Sequence, residues 1–334
     1  MNEIYKGSAI EVISTTINKR GIGAFEAFWL IRKARRKGKR NFLVLQGHKA
    51  SIIGSIAARS MELDYSIIHH IQPKYFELMK ERRPYRALLH QLMYHFYIRH
   101  AKVIQSLSIE VKNHLISEGC DPKRIVSVGH GIDFEAFQKA LFNGKNGIAL
   151  KSGFPRILIV ARLAWEKNYP LAIEVFDRLR KSFPNAQLFI AGTGPMELEI
   201  ESLVAKSGLQ ECVTFLGRVD NVAGLMKQSD LLLHLAKTES YGQVYIESCL
   251  ADLPVFAFST GIASDLAQDG EPLVHILKSA SPVVISNQIG EYLALPSDAR
   301  IAPSVSAMHF REHDERVVFQ EISDYLTRLV PESD

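Results

Sequence analysis

Residues 156–236 alternate short apolar runs with amphipathic segments at a regular pitch, and that alternation leaves few architectures open. RILIVARL (156–163), AQLFIAG (186–192), CVTFLG (212–217) and SDLLLHLA (229–236) have strand length and the continuous apolarity of strands buried on both faces. PLAIEVFDRLRKSFP (170–184), MELEIESLVAKSGL (196–209) and VAGLMKQS (222–229) lie between them with helical patterning. Strand, helix and strand in this order form parallel βαβ units, so the spacing predicts a doubly wound parallel sheet. The first half repeats the grammar less cleanly, in EVISTTI (11–17), AFEAFWLIRKARRKG (24–38), NFLVLQG (41–47), KASIIGSIAARSMEL (49–63), YSIIHHI (65–71), AKVIQSLS (101–108) and RIVSVGHG (124–131). At 334 residues the chain has room for two such domains. The expected division is an N-terminal Rossmann-like domain over 1–138, a polar, glycine-bearing linker over 139–155, and a C-terminal Rossmann-like domain over 156–334, closed by a helix in HDERVVFQEISDYLTRLV (313–330).

A hydrophobic fraction of 47% with 23% charged residues is that of a soluble globular enzyme. No apolar run reaches eighteen residues and the first ten lack a signal peptide's order, so the expected location is the cytoplasm. Cys120, Cys212 and Cys249 are odd in number, far apart and set in apolar sequence, which points to reduced core thiols rather than a disulfide or metal framework. The net charge of +4 conceals an asymmetry: residues 1–150 hold 24 Lys and Arg against 12 Asp and Glu, while the remainder carries −8. A basic first half implies an anionic partner, whether nucleic acid, an acidic membrane surface or a phosphorylated substrate.

The residues with chemical promise cluster at strand ends. Glu239 and Glu247 stand with seven residues between them in TESYGQVYIESCLADLPV (238–255), across a turn at Gly242 that opens a helix. Carboxylates accept hydrogen bonds from hydroxyls, and free N–H groups at a helix N-terminus stabilise anions, so this segment suits a ligand bearing both hydroxyls and phosphates. Arg162 and Lys167 follow the first strand of the second domain, where doubly wound folds place ligands, and two cations there suit a diphosphate. Gly192 and Gly194 in IAGTGP (190–195) allow close approach of a ligand, although such a pair also makes an ordinary strand-to-helix turn.

Taken jointly, RLAWEK (162–167), AGTGP (191–195), FLGRV (215–219), TESYGQVYIES (238–248) and ADLPV (251–255) resemble, in order and spacing, the retaining family 4 glycosyltransferases, or glycosyl transferases group 1. The resemblance is strong over 156–266 and extends to LQGHKAS (45–51), IIHHI (67–71), SLSIEVKNHLISEGCDPKRI (106–125) and HGIDFEAF (130–137). It implies the GT-B fold, two Rossmann-like domains facing across a cleft, and transfer of a sugar from a UDP- or GDP-sugar to a saccharide or lipid-linked acceptor in bacterial surface polysaccharide or lipopolysaccharide assembly. It further implies that Arg162 and Lys167 bind the diphosphate, that Glu247 takes the ribose and that Glu239 lies beside the donor sugar. Backbone N–H groups of Gly242 and Gln243, next to Tyr241, complete the phosphate cradle in this reading, with Gly192 and Gly194 nearby and Arg218 and Val219 bordering the base. His70, or its neighbour His69, is implied to face the reacting sugar, with His48 a structural residue. No metal or other cofactor is implied, in keeping with the lack of an Asp-x-Asp pair.

The chain departs from the family at His130, where Asn is usual, at Asp252, where Gly is usual, and at Tyr241, where Phe is usual. Its first segment, with Gly21 and Gly23, replaces the usual glycine-rich opening loop, which leaves open a catalytically impaired nucleotide-sugar-binding protein of the same fold. A dinucleotide-dependent oxidoreductase, suggested by GTGP alone, lacks an acidic ribose-binding residue at the expected distance. The basic segments 29–40, with seven cations, and 80–102, with four aromatics among Arg and His, resemble stretches that lie on anionic membranes, and no nucleic-acid-binding module accompanies the charge.

Overall fold

The computed structural model describes residues 29, 31–32, 42–68, 71–143, 148–270, 272–300 and 313–329. The expected first strand, Gly21, Gly23, His69, His70 and most of the basic segment 29–40 lie outside the described residues. The chain divides into two compact units, one of residues 1–129 with 318–334 and the other of residues 130–317.

The first unit is built on a four-stranded parallel sheet in the order β1 (Phe42–Gln46), β2 (Asp64–Ile68), β3 (Val103–Ser106), β4 (Ile125–Ser127). Helix α1 (His48–Ser60) links β1 to β2, α2 (Tyr75–Arg82) and α3 (Pro84–His100) link β2 to β3, and α4 (Ile109–Ser117) leads to β4. Ser108 caps α4 by accepting the Val111 N–H, which satisfies one of the donors a helix start leaves over. The core gathers Tyr65, Ile67, Tyr94, Tyr97, Ile104 and Leu115, all nearly inaccessible.

In the second unit α5 (Phe134–Asn143) precedes β5 (Arg156–Val160), α6 (Tyr169–Ser182), β6 (Gln187–Ala191), α7 (Glu197–Lys206), β7 (Val213–Gly217), α8 (Ala223–Met226) and β8 (Leu231–His234). Then follow α9 (Gln243–Leu250), β9 (Val255–Phe258), α10 (Ala263–Gln268), β10 (Val274–Leu277), α11 (Pro282–Ala294), α12 (Ser297–Arg300) and α13 (Glu315–Leu329), whose residues from Val318 group with the first unit. The six-stranded parallel sheet runs β10-β9-β8-β5-β6-β7. Chain order therefore reverses between β5 and β8, the switch point at which doubly wound sheets open a crevice at their carboxyl ends. Ile157, Ile159, Leu188, Ile190, Leu231 and Leu233 fill the core on the sheet, and Phe176, Ile285 and Ile289 cover it from α6 and α11. All three cysteines are buried and reduced, and burial raises the thiols of Cys120 and Cys212.

The observed boundary differs from the expected 138/156 division. Residues 130–143 group with the second unit because Ile132 bridges to Asp314, its N–H bonds the His313 carbonyl, and Arg316 pairs with Glu135 at 2.8 Å. Part of the expected linker is likewise structured: Gln228 accepts the Leu150 N–H and donates to the Ile148 carbonyl. For the same reason the closing helix α13 is shared between the units instead of belonging to the second alone.

The glycines after β6 have a structural task. A Cβ on Gly192 would run into the Ala161 carbonyl, and one on Gly194 into the Leu163 backbone, because this loop packs on the loop after β5. Three backbone hydrogen bonds join those loops, from Ala161 to Ala191, Leu163 to Thr193 and Met196 to Leu163. Gly192 also holds φ 144°, whereas Gly208 holds φ 67° with open space around it. Gly208→Ala is expected to cost roughly 1–2 kcal/mol for left-handed strain alone, and Gly192→Ala roughly 2–4 kcal/mol because a clash is added. Thermal unfolding should rank them in that order; equal losses would contradict the packing account.

Candidate functional site

The carboxyl ends of β5, β8 and β9 carry the site, and each loop owes its shape to a local feature. After β5 the chain turns through a single 3-10 turn, Trp165–Lys167, ended by Asn168 at φ 58°. After β8 it runs to Gly242, whose φ of 89° caps α9; a Cβ there would strike the Tyr245 ring. After β9, Gly261 at φ 58° lies against the Tyr241 carbonyl and the Glu239 Cβ, and the Ile262 N–H bonds the Tyr241 carbonyl at 2.8 Å.

Lys167 and Glu239 meet across the switch point as a buried ion pair. The same carboxylate oxygen, Glu239 Oε1, receives a hydrogen bond of 2.9 Å from His234 Nε2 at the end of β8. A second bridge runs between these loops, from the Lys237 N–H to the Glu166 carbonyl at 2.8 Å. Burial by itself raises the Glu239 carboxyl, but the His234 hydrogen bond and the Lys167 ammonium outweigh it and hold the group at about 2. Burial dominates at His234 and pushes its imidazole below the ordinary range, only partly opposed by Glu239. His234 is therefore neutral near pH 7, and its bond to a carboxylate requires the proton on Nε2. The ring stands edge-on to Tyr245 at 5.1 Å, and the Tyr245 hydroxyl meets Thr260 Oγ1 at 3.2 Å, so the proton donor is fixed in orientation.

Arg162 is more exposed and pairs with Glu166, whose carboxylate is buried. Among the described residues, one Glu166 oxygen, Oε2, has no hydrogen-bond partner, and neither does the hydroxyl of fully buried Thr238 beside Glu239. Buried polar atoms without partners are costly in a folded protein, so both of these can pair with water or with a ligand. At the start of α9 the N–H groups of Gln243 and Val244 have no carbonyl one turn back to bond, and no acidic side chain occupies the first turn. Glu247 lies one turn on, half-buried, with Gln243 Nε2 donating to it at 3.2 Å. Burial raises its carboxyl, partly offset by that hydrogen bond.

The sequence-derived residues thus separate into groups. Arg162, Lys167, Glu239, Gly242, Gln243 and Glu247 follow β5 and β8, the two strands that flank the switch point. Gly192 and Gly194 pack their backbone against the loop after β5, where a Cβ would meet the Ala161 and Leu163 backbone. Tyr241 is buried with its hydroxyl donating to the His130 carbonyl at 2.8 Å and lying 3.1 Å from His313 Nδ1, so its side chain braces the loop. Arg218 is exposed with Asp220 at 3.3 Å, beside half-buried Val219 after β7. His48 is a structural residue: it bonds Tyr97 and His90, each at 3.1 Å, and burial together with His90 lowers it to about 4. His234, Glu166 and Thr238 were not singled out by sequence; His234 lies inside an apolar strand run, and Glu166 beside Lys167 was the one available signal.

Comparison with known proteins fits this geometry. Residues 143–302 match the family model of glycosyl transferases group 1. Over 150 residues the chain is 31% identical to alpha-monoglucosyldiacylglycerol synthase of Acholeplasma laidlawii, covering 42% of this chain and 37% of that protein. Over 152 residues it is 28% identical to the phosphatidylinositol N-acetylglucosaminyltransferase gpi3 subunit of Schizosaccharomyces pombe, covering 45% and 32%. Each match thus spans about a third of the curated relative. The crystal structure of Anabaena Alr3699/HepE in complex with UDP and glucose superposes with a TM-score of 0.74 at 18% identity, over 94% of this chain and 84% of that one. The likeness establishes the GT-B fold.

The Glu239 pair sets a pH dependence. Its folded-state value, about 2, lies below the ordinary 4.5, so the ionised group contributes stability above pH 4.5 that is lost as pH falls through about 2. Glu239→Gln should cost roughly 3 kcal/mol at pH 7 by leaving Lys167 buried without its partner, and the gap from wild type should close between pH 4.5 and 2. A gap independent of pH in thermal melts would contradict the assignment.

Proposed function

We propose, from the match of residues 143–302 to the glycosyl transferases group 1 model, that the chain transfers a sugar, with retention of anomeric configuration, from a nucleoside-diphosphate sugar to a saccharide or lipid-linked acceptor. The observation that carries this reading is the Lys167–Glu239–His234 cluster at the switch point, with Glu239 in a loop that leads directly into the α9 N-terminus. A sugar diphosphate has complementary chemistry: hydroxyls for Glu239, a dianion for Lys167, Arg162 and the free N–H groups, and ribose hydroxyls for Glu247. The UDP in the superposed structure and the lipid-related names of two relatives support a uridine donor and a lipid-linked acceptor, respectively. A role in bacterial surface polysaccharide or lipopolysaccharide assembly, and peripheral contact with a membrane at its cytoplasmic face, belong to the same reading.

Donor binding then proceeds by exchange. The diphosphate draws Lys167 from Glu239 and Arg162 from Glu166, while Glu239, still fixed by His234, accepts the sugar hydroxyls. As the bond from the anomeric carbon to phosphate lengthens, positive charge grows on the sugar and negative charge on the leaving diphosphate. Arg162 and Lys167 stabilise the latter directly, in a site where they are already oriented. The acceptor hydroxyl attacks the face the diphosphate is leaving and gives its proton to a phosphate oxygen, so no side-chain base and no metal take part.

Arg162→Ala should lower kcat by about 10²–10³-fold with a smaller change in KM, because its charge partner develops in the transition state. Glu247→Ala should instead raise KM for donor with kcat nearly kept. Since Glu247 is raised and Glu239 held at about 2, the acid limb of donor binding belongs to Glu247: affinity falls as it protonates, and Glu247→Gln flattens that limb. The deciding experiment supplies UDP- and GDP-sugars with lipid and saccharide acceptors in EDTA and follows the product anomer by NMR. Retained product formed in EDTA is expected. Donor binding with no turnover on any acceptor would mark a nucleotide-sugar-binding protein instead, and inverted product would overturn the mechanism.

A further inference from the structure

Helix α3 is apolar on two opposite sides, and only one of them is used by the core. Ala87, Tyr94, Tyr97 and Ile98 are buried along one side. Tyr85, Leu88, Leu89 and Leu92, at helical spacings of three and four, form the other and are 89%, 56%, 57% and 57% exposed. Four large apolar side chains in one exposed stripe are not needed for folding and mark a contact surface. Charge identifies what it contacts. An open hollow at the first turn of α3 is lined by Arg83, Pro84, Tyr85 and Arg86, so two guanidinium groups sit beside the aromatic end of the stripe. Both arginines are exposed and neither is in an ion pair among the described residues. The first turn of α3 also holds no acidic residue, which leaves the positive end of its dipole uncompensated. An apolar stripe ending in tyrosine and arginine has the layout of a helix lying in a bilayer interface, with leucines toward the acyl chains and cations at anionic headgroups.

We propose that the outward side of α3 is a docking surface for an anionic lipid bilayer. It deepens the acceptor reading above, on which it rests only for why the protein would visit a membrane. The surface itself is defined by the residues named and requires neither donor nor transfer.

The test is co-sedimentation of the full chain, without nucleotide, with vesicles of phosphatidylcholine and phosphatidylglycerol in equal parts and of phosphatidylcholine alone. Binding to the mixed vesicles, weak binding to phosphatidylcholine and release by high salt are expected. Arg83→Ala with Arg86→Ala should weaken binding by about 25-fold, at roughly fivefold per cation. Leu89→Asp with Leu92→Asp should abolish it with the melting temperature retained, since both side chains are exposed. Should that pair fail to fold, Tyr85→Trp replaces it, and its emission should move to the blue only on the anionic vesicles. Absence of wild-type binding would overturn the proposal. So would wild-type-like binding by both double variants, which would leave adhesion to the segment 29–40, or a stripe whose substitution dissolves a dimer in sedimentation velocity without affecting vesicle binding. Because donor affinity is measured separately, failure here leaves the transfer reaction standing, and failure of transfer leaves this surface standing.

Discussion

One ammonium group holds the proposed site in its resting form. Lys167 leaves β5, Glu239 leaves β8, and their ion pair closes the switch point of the second sheet. Burying two opposite charges is expensive, and the attraction between them offsets that cost only when further hydrogen bonds complete the geometry. His234 supplies the further bond from a neutral imidazole fixed by Tyr245, so Glu239 stays ionised although hardly any of it meets water. Glu166 repeats the arrangement with Arg162 at a shallower level. Both cations proposed for the diphosphate are thus already matched by carboxylates.

That matching gives the site a logic of exchange. A ligand bringing phosphate alone must withdraw Lys167 from Glu239 and leave a buried carboxylate exposed to an apolar surround. A ligand bringing phosphate and hydroxyls replaces both halves of the pair together. If the proposed function holds, selection for a sugar diphosphate over a bare nucleotide would follow from the cost of a half-completed exchange.

Much of this was legible in the sequence where the signal is local. Continuous apolar runs at Arg156–Val160, Gln187–Ala191 and Leu231–His234 became the central strands, and Gly242 marked the start of α9 because only glycine holds that left-handed cap against Tyr245. What escaped depends on contacts distant in sequence. Residues 130–143 join the second unit through Ile132 with Asp314 and Glu135 with Arg316, pairs almost the length of a domain apart, and nothing local in the segment announces them. Tyr241 has the neighbours of a ligand-facing residue in sequence, yet its hydroxyl is taken by His130 and His313. His234 was hidden for the opposite reason: a histidine within an apolar strand looks like a core residue until Glu239 is seen to fold back on it. On α3 the sequence displayed aromatics and arginines together but not which apolar side the core would take.

The exchange is the claim on which the account turns, and calorimetric titration of UDP and UDP-sugar, or their guanosine counterparts, into wild type and Glu239→Gln tests it most directly. With Lys167 released from its partner, the variant should bind the bare nucleotide at least as tightly as wild type does, while the added affinity conferred by the sugar should disappear. If Glu239→Gln instead weakened nucleotide and nucleotide-sugar by the same factor, or neither, Glu239 would be a structural support for the loop and the exchange would be contradicted.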